Sequence, residues 1–425
     1  MKELTKMNKN LGYRKTTVVT LAVLIALLLM FPAIRVDAGP VKLEIIPSLN
    51  IQEEWDSNVY DATNHEVSSM GFRISPGLEL KMMSSDNVTM TFGGGYDKVW
   101  HHSSDAKAAD DGSWYASVDS SGAWSISPNL TVTPSFYFIN TKDSNGRASF
   151  IPMGNPLMPS ISSVSYVDTK RQSTGGALDF IYLISPTWNA NLRMDYLDER
   201  FKRSGSATPG VNLTNTTQAG VRAGANYVIS PSSQAGMFAE MRLIDFDNSP
   251  DTKVYSAGLT YSHQFNQFLK LTLDAGASHL QRENETGSDS GDTETGPMAN
   301  LLLEFNWQSF HAELYGNAVY SGGSGFEDVT RDYTTGIRIE HQFTQTISGK
   351  LSGYFQNSKS VFQSDAVNIN TLHVSASLMY QPWEVLSFFL RGDSDNQKSS
   401  DSFGESIDNY MVVLGVKIAF PYNIF

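Results

Sequence analysis

Near the end of the chain, apolar side chains recur at every second position. Tyr410, Val412, Leu414, Val416, Ile418, Phe420 and Tyr422 share one phase, and Met411, Val413, Gly415, Lys417 and Ala419 fill the other. Successive side chains of a strand point to opposite faces, so one face of this segment seeks an apolar medium and the other tolerates charge. From Val41 onward, segments of about ten residues repeat this alternation. The links between them alternate in length. Tight ones fall at Ser84-Ser85-Asp86-Asn87, Ser127-Pro128-Asn129, Ser185-Pro186-Thr187, Ser230-Pro231-Ser232-Ser233, Asn266-Gln267, Gln308-Ser309, Thr344-Gln345 and Pro382-Trp383. Their Ser, Asn, Asp and Pro residues favour tight turns through local hydrogen bonds and a preset φ. Longer links surround residues 56–67, 101–112, 142–172, 202–215, 246–252, 283–296, 321–327, 358–369 and 396–406. Eight turns and nine loops connect about eighteen strands, with sixteen as the alternative count, and both ends of the chain fall on the tight-turn side. Even strand number, short turns on one side and long loops on the other predict an all-β fold: a transmembrane, antiparallel, up-and-down β-barrel.

A soluble β-sandwich or propeller also uses many short strands. It fits less well, because the expected strands of 9–13 residues are long enough to cross a bilayer when tilted. Aromatic residues also gather beside the turns: Trp124, Tyr182, Trp188, Tyr227, Tyr261, Phe265, Phe268, Trp307, Phe310, Phe343, Tyr380 and Trp383. Amphipathic rings at one level form an interfacial girdle.

The start of the chain follows another pattern. Lys2, Lys6, Lys9, Arg14 and Lys15 precede an apolar stretch from Val18 to Phe31, and Val36-Asp37-Ala38 ends in a small residue. This is the layout of a secretory signal peptide cleaved after Ala38, which divides the chain into residues 1–38 and a barrel domain of 39–425. The apolar stretch is short for a membrane-spanning helix, and no second apolar run of that length follows. The chain has no cysteine, so closure of the sheet replaces a disulfide framework. Removing the signal takes six basic and two acidic residues and moves the formal charge from −13 to about −17. Such a chain does not bind nucleic acid by neutralising phosphates.

The more polar phase of each strand gives candidate lumen-lining residues. The basic ones are Lys42, Arg73, Lys81, Arg193, Arg222, Arg242, Lys270, Arg338, Lys350, Arg391 and Lys417. The acidic ones are Glu44, Glu79, Asp97, Asp119, Asp179, Asp195, Glu240, Asp274, Glu304, Glu313, Glu340 and Asp393. Eleven against twelve is a balanced wall, without the single-sign ring of a strongly ion-selective pore. Arg193/Asp195, Glu240/Arg242, Arg338/Glu340 and Arg391/Asp393 lie two apart and are expected to pair along their strands. The long links hold about nineteen acids against eight bases, so most net charge lies at the loop rim. The 142–172 link carries Phe150, Ile151, Met153, Leu157, Met158 and Ile161; apolar residues in so long a loop fit a constriction folded into the barrel or a cap on its rim.

No catalytic chemistry emerges. The eight histidines (His65, His101, His102, His263, His279, His311, His341 and His373) stand in no HExxH or GxSxG context. His101-His102 with Asp105 and Asp110, and the acids Glu283, Glu285, Asp289, Asp292 and Glu294, lack metal-ligand spacing. No cofactor, metal or catalytic residue is expected.

Glu53-Glu54-Trp55-Asp56-Ser57-Asn58-Val59-Tyr60, followed by Phe72-Arg73-Ile74-Ser75-Pro76-Gly77-Leu78-Glu79-Leu80, resembles the opening of an outer-membrane β-barrel porin family of Gram-negative bacteria. Members of that family are often associated with exopolysaccharide and PEP-CTERM surface systems. The resemblance implies a cell outer-membrane location, with lipid, lipopolysaccharide and the barrel-assembly machinery as partners. Outer-membrane barrels typically end in Phe with alternate hydrophobic residues before it. Here Phe425 is present, but Asn423, Pro421 and Ala419 occupy its phase. The expected function is a porin-like channel for small solutes or surface polysaccharide. The alternatives are a non-conducting structural or adhesion barrel and, behind both, an outer-membrane enzyme.

Overall fold

A computed structural model describes residues 42–59, 66–83, 89–109, 112–121, 124–141, 169–203, 213–283, 291–322, 328–362, 368–399 and 406–423. Its strands are β1 (Lys42–Asp56), β2 (Ser69–Met83), β3 (Thr89–His101), β4 (Gly112–Ser121), β5 (Trp124–Ser127), β6 (Leu130–Thr141), β7 (Thr169–Ser185), β8 (Trp188–Arg203), β9 (Thr216–Ser230) and β10 (Ser233–Phe246). They continue with β11 (Thr252–Gln264), β12 (Leu269–Arg282), β13 (Thr293–Trp307), β14 (Phe310–Ser321), β15 (Thr330–Gln342), β16 (Ile347–Ser360), β17 (Asn368–Trp383), β18 (Leu386–Ser399), β19 (Ile407–Ala419) and β20 (Tyr422–Asn423). Among the described residues the sole helical element is a 3₁₀ turn, Ser104–Ala109.

Neighbouring strands pair antiparallel in chain order, except that β4 skips β5 to pair with β6, and β1 pairs with β2 on one edge and with β19 and β20 on the other. β4 and β5 both lie against β6, and β19 and β20 both lie against β1, so the twenty segments fill eighteen wall positions. The ring is closed, which leaves no row of unpaired edge groups. In a bilayer core without water this is a requirement, since each unsatisfied backbone group there costs several kcal/mol.

The outer face carries the apolar phase. Leu259, Met237 and Leu414 stand more than 60% exposed, as lipid-facing side chains do in a chain without its bilayer. The turn-side girdle is confirmed by exposed Tyr182, Trp188, Tyr227, Phe265, Trp307, Phe343, Tyr380 and Trp383. A second girdle, not read from the sequence, lies toward the loops at Trp55, Trp100, Trp114, Tyr255, Tyr333 and Tyr410. Tyr255 to Phe265 and Tyr333 to Phe343 each separate the two girdles by ten residues. That is roughly 34 Å along a strand, or about 25 Å of membrane height at the usual tilt.

Two expectations need correction. The full-length strands run to as many as 17 residues, in β7, rather than 9–13. Beyond the bilayer the apolar contrast fades while the backbone ladder continues, so Thr169–Gln172 and Asn396–Ser399 are strand, not loop. The last tight turn is at Glu384-Val385 rather than Pro382-Trp383, because Pro382 is absorbed in a register shift of β17 between Tyr380 and Trp383. The turn at 84–88, the segment 1–38, the 142–168 link and Phe425 lie outside the described residues.

The turns themselves follow local chemistry. Asn266 Oδ1 accepts from the backbone N–H groups of Phe268 (2.8 Å) and Leu269 (3.0 Å). Thr344 Oγ1 does the same for Thr346 (3.2 Å) and Ile347 (3.0 Å). Ser185 Oγ accepts from Thr187 (3.3 Å) and Trp188 (3.1 Å). One short polar side chain thus satisfies two N–H groups that the ladder leaves behind.

Candidate functional site: the charged inner wall

The cross-strand register places the polar residues of neighbouring strands on one face. Asp179 lies opposite Arg193, Arg193 opposite Arg222, Arg222 opposite Glu240, Lys270 opposite Glu304, Glu304 opposite Glu313, Glu313 opposite Arg338 and Glu340 opposite Lys350. Arg73 and Glu79 share this phase through β1 and β3, as do Asp119, Asp195, Arg242, Asp274, Arg391, Asp393 and Lys417 through their own partners. This is the face opposite the exposed apolar belt.

Ion pairs bind this face both along and across strands. Arg242 reaches Glu240 at 3.0 Å, Arg391 approaches Asp393 at 2.8 Å, and Arg193 stays 3.8 Å from Asp195. The expected Arg338/Glu340 pair does not form. Arg338 turns across the ladder to Glu313 at 2.7 Å, and Glu340 is taken by Lys350 at 2.9 Å. A cross-strand neighbour is nearer than the residue two along. Arg222 spans three seams to Asp274 at 2.8 Å, with its guanidinium 3.8 Å above the centre of the Phe238 ring, a cation–π arrangement.

Sequence reading named Arg73 and Asp97 but missed other deeply buried groups, Glu54, Arg171, Glu199 and His373. Arg73 is 4% exposed and donates to both oxygens of Glu54, at 2.9 and 3.0 Å, while also meeting Asp97. Ser75 donates to the same Asp97, and Asn50 and Gln52 extend the chain of contacts down β1 to Glu54. Arg171 and Glu199 form a second buried pair, joined by Ser173. His373 meets Asp395 at 2.6 Å and stacks on Tyr354, with ring centres 5.2 Å apart. Glu54, Glu199 and His373 stand in strand phase with the predicted wall residues, so the signal was present. Arg171 was hidden because it was assigned to the long loop. His101 packs over Gly71, and His102 faces solvent.

Above this wall, toward the loops, an apolar cluster sits on part of the inner face. Ile244, Phe246, Val254, Leu280, Tyr320 and Val329 form one buried cluster, with Val361 and Phe362 packed on it. Val329, Val361 and Phe362 belong to links, not strands. Val361 N–H donates to the Val329 carbonyl at 3.0 Å, Phe362 N–H donates to Asp328 Oδ2 at 3.0 Å, and Arg282 sits 5.7 Å from the Phe362 ring centre. Gly322, just after β14, comes against Ile244 of β10 and Thr216 of β9. The described residues of the links after β14 and β16 therefore pack against the inner wall of β9–β12. The expected constriction residues Phe150, Ile151, Met153, Leu157 and Met158 lie outside the described residues. At the other end, Lys270 and Lys350 are 45% and 59% exposed, so the wall opens toward the turns.

One rim carboxyl is perturbed. Asp251, in the link between β10 and β11, is pushed up from 3.8 to about 6, first by burial, then by Asp245, with Glu283 adding to it. Among the described residues no group of three or more His, Cys, Asp or Glu is placed to hold a metal ion.

No family model matches the chain, and no curated protein does either. Among solved structures, Acinetobacter baumannii OccAB3 superposes with TM-score 0.45 and 10% identity, over 90% of this chain and 99% of that one. Pseudomonas aeruginosa OccK2 (OpdF) in complex with glucuronate gives 0.44 and 10% over 91% and 98%, and the outer membrane protein OpdK of the same organism 0.42 and 10% over 90% and 99%. These are likenesses of overall shape, and no residue's role follows from them.

Proposed function

We propose that this protein is an outer-membrane channel whose turn-side vestibule takes up small polar solutes. One observation carries the reading: a closed wall whose outer face is an apolar belt between two aromatic girdles and whose inner face is a mosaic of paired charges. Only a barrel with lipid outside and water inside is stabilised by that division. Paired charges attract neither ion sign strongly, which supports a neutral or weakly charged solute, sugars included. Export of a surface polysaccharide is a narrower form of this reading, supported by the resemblance of the first hairpin. Contacts with lipopolysaccharide and the assembly machinery follow from the proposed location.

A second reading has its own observation. The Ile244–Leu280–Val329 cluster occupies part of the interior toward the loops, which favours a barrel that conducts rarely or not at all. Single-channel recording in planar bilayers separates the two. Discrete conductance steps, blocked or modulated by added oligosaccharide, support the channel. A protein that is correctly folded and silent at every voltage and pH sinks it in favour of the structural barrel. An assay of lipid and glycan hydrolysis on the same preparation tests the enzyme alternative.

A further inference from the structure

Proline has no N–H to give to a ladder and is rarely found inside a sheet. Five strands of this barrel nevertheless hold one internally: Pro47, Pro76, Pro134, Pro297 and Pro382. Pro382 lies in the register shift near the end of β17. Near Pro297 the β13–β14 ladder simply ends at Ala299↔Ala318, and Pro134 faces the junction of β4 and β5. Pro76 is different. β2 and β3 are paired at Ile74↔Lys98 and again at Gly77↔Gly95 in unchanged register, yet Ser75 and Pro76 have no ladder partner on β3. The gap is internal to the seam.

The same hairpin has a fault on its other edge. Pairing of β1 with the last strand stops at Ser48↔Ala419 and resumes at Ile45↔Tyr422. Between them Pro47 accepts from Phe420 N–H at 3.0 Å and has no N–H to return. The β1–β2 ladder itself is unbroken for fifteen pairs. A sound hairpin is thus set between two interrupted seams at similar height.

Side chains close the β2–β3 gap from within. Ser75 and Arg73 both reach across to Asp97. The ring of Tyr115 lies on Gly95, and a Cβ at Gly77 would come within 2.9 Å of its hydroxyl. On the lipid side Tyr96 leans away from Pro76 onto Trp114 of β4, with ring centres 4.5 Å apart.

We propose that the wall opens sideways between β2 and β3, letting the hydrocarbon chain of an amphiphile pass between the interior and the bilayer. Asp97, held by Ser75 and Arg73, is the latch, and Tyr115 is the stopper. A gap of two ladder positions is roughly 7 Å long, which suits an extended chain and not a hydrated sugar ring. This lateral route is independent of axial conductance.

The chain has no cysteine, so engineered pairs are unambiguous. Glu79→Cys with Gly93→Cys joins facing residues below the gap, and Ser256→Cys with Ser278→Cys, whose hydroxyls are 2.7 Å apart, locks the intact β11–β12 seam as a control. In phosphatidylcholine/phosphatidylglycerol nanodiscs, amides of residues 77–80 and 93–96 should exchange hydrogen about tenfold faster than those of β11–β12. Oxidising the first pair should abolish the difference, and oxidising the control pair should not. A diazirine-bearing dodecanoic acid should label peptides spanning 74–80 and 92–97. The first lock should reduce labelling severalfold, and Tyr115→Ala should increase it. Exchange at the seam no faster than at β11–β12, or labelling unchanged by the lock, overturns the proposal. Oxidation should leave the single-channel conductance of each paired-cysteine protein at the value of its own reduced form; silence there bears on the axial channel alone.

Discussion

Arg73 shows how a single side chain can hold three strands. It stands on β2 and ties Glu54 of β1 to Asp97 of β3 with almost no exposure to water. Removing one member of a buried ion network leaves the opposite charge buried, a loss of about 3–5 kcal/mol. Arg73→Ala should therefore unfold at markedly lower urea than wild type, and Glu54→Gln with Asp97→Asn added should recover much of the difference; equal midpoints for wild type and Arg73→Ala would refute the brace. Asp251 acts in the opposite sense. Its folded carboxyl is raised to about 6, so the folded state holds its proton more tightly than the unfolded chain. Stability from this group is full below about pH 3.8 and declines as pH rises through about 6. Asp251→Asn should accordingly be more stable than wild type at pH 7.5, by less than about 1 kcal/mol because the group faces water. The advantage should vanish by pH 4 in parallel thermal melts.

At the scale of elements, turns decide the register of the wall. Gln308 takes φ of 49° in the two-residue turn that joins Trp307 to Phe310. A residue with a Cβ pays about 1 kcal/mol or more in that region, and glycine does not. Gln308→Gly should raise the unfolding midpoint with the β13–β14 register unchanged; a lower midpoint would show that the Gln side chain supplies a contact worth more than the strain. Asn266, Thr344 and Ser185 could be identified as turn residues from sequence because their chemistry is local. Pro382 misled for the same reason: it reads as a turn in isolation, but a bulge in β17 accommodates it.

For the whole molecule, the contrast between the two ends of the interior matters most. The turn side presents an exposed, charge-paired wall, and the loop side carries an apolar cluster to which residues of the links after β14 and β16 contribute. If that cluster limits passage, trimming it should open the barrel. Val329→Ala with Phe362→Ala should increase mean conductance or open probability severalfold in planar bilayers without changing the turn-side charges. Unchanged traces would place the limiting constriction elsewhere.

Strand phase, most turn positions, the even strand count and the polar phase from which the candidate wall residues were taken were legible in the sequence, because each follows from alternation or from chemistry within a few residues. The partners of those wall residues were not. Arg338 with Glu313 and Arg222 with Asp274 depend on register between strands, which no single segment contains. The apolar cluster toward the loops was equally hidden, since Val329, Val361 and Phe362 are isolated apolar residues in polar links and acquire meaning only where the closed barrel brings them against Ile244 and Leu280. Sequence alone set which face of each strand is apolar and which is polar; closure of the ring decided which charges touch and where apolar side chains gather inside.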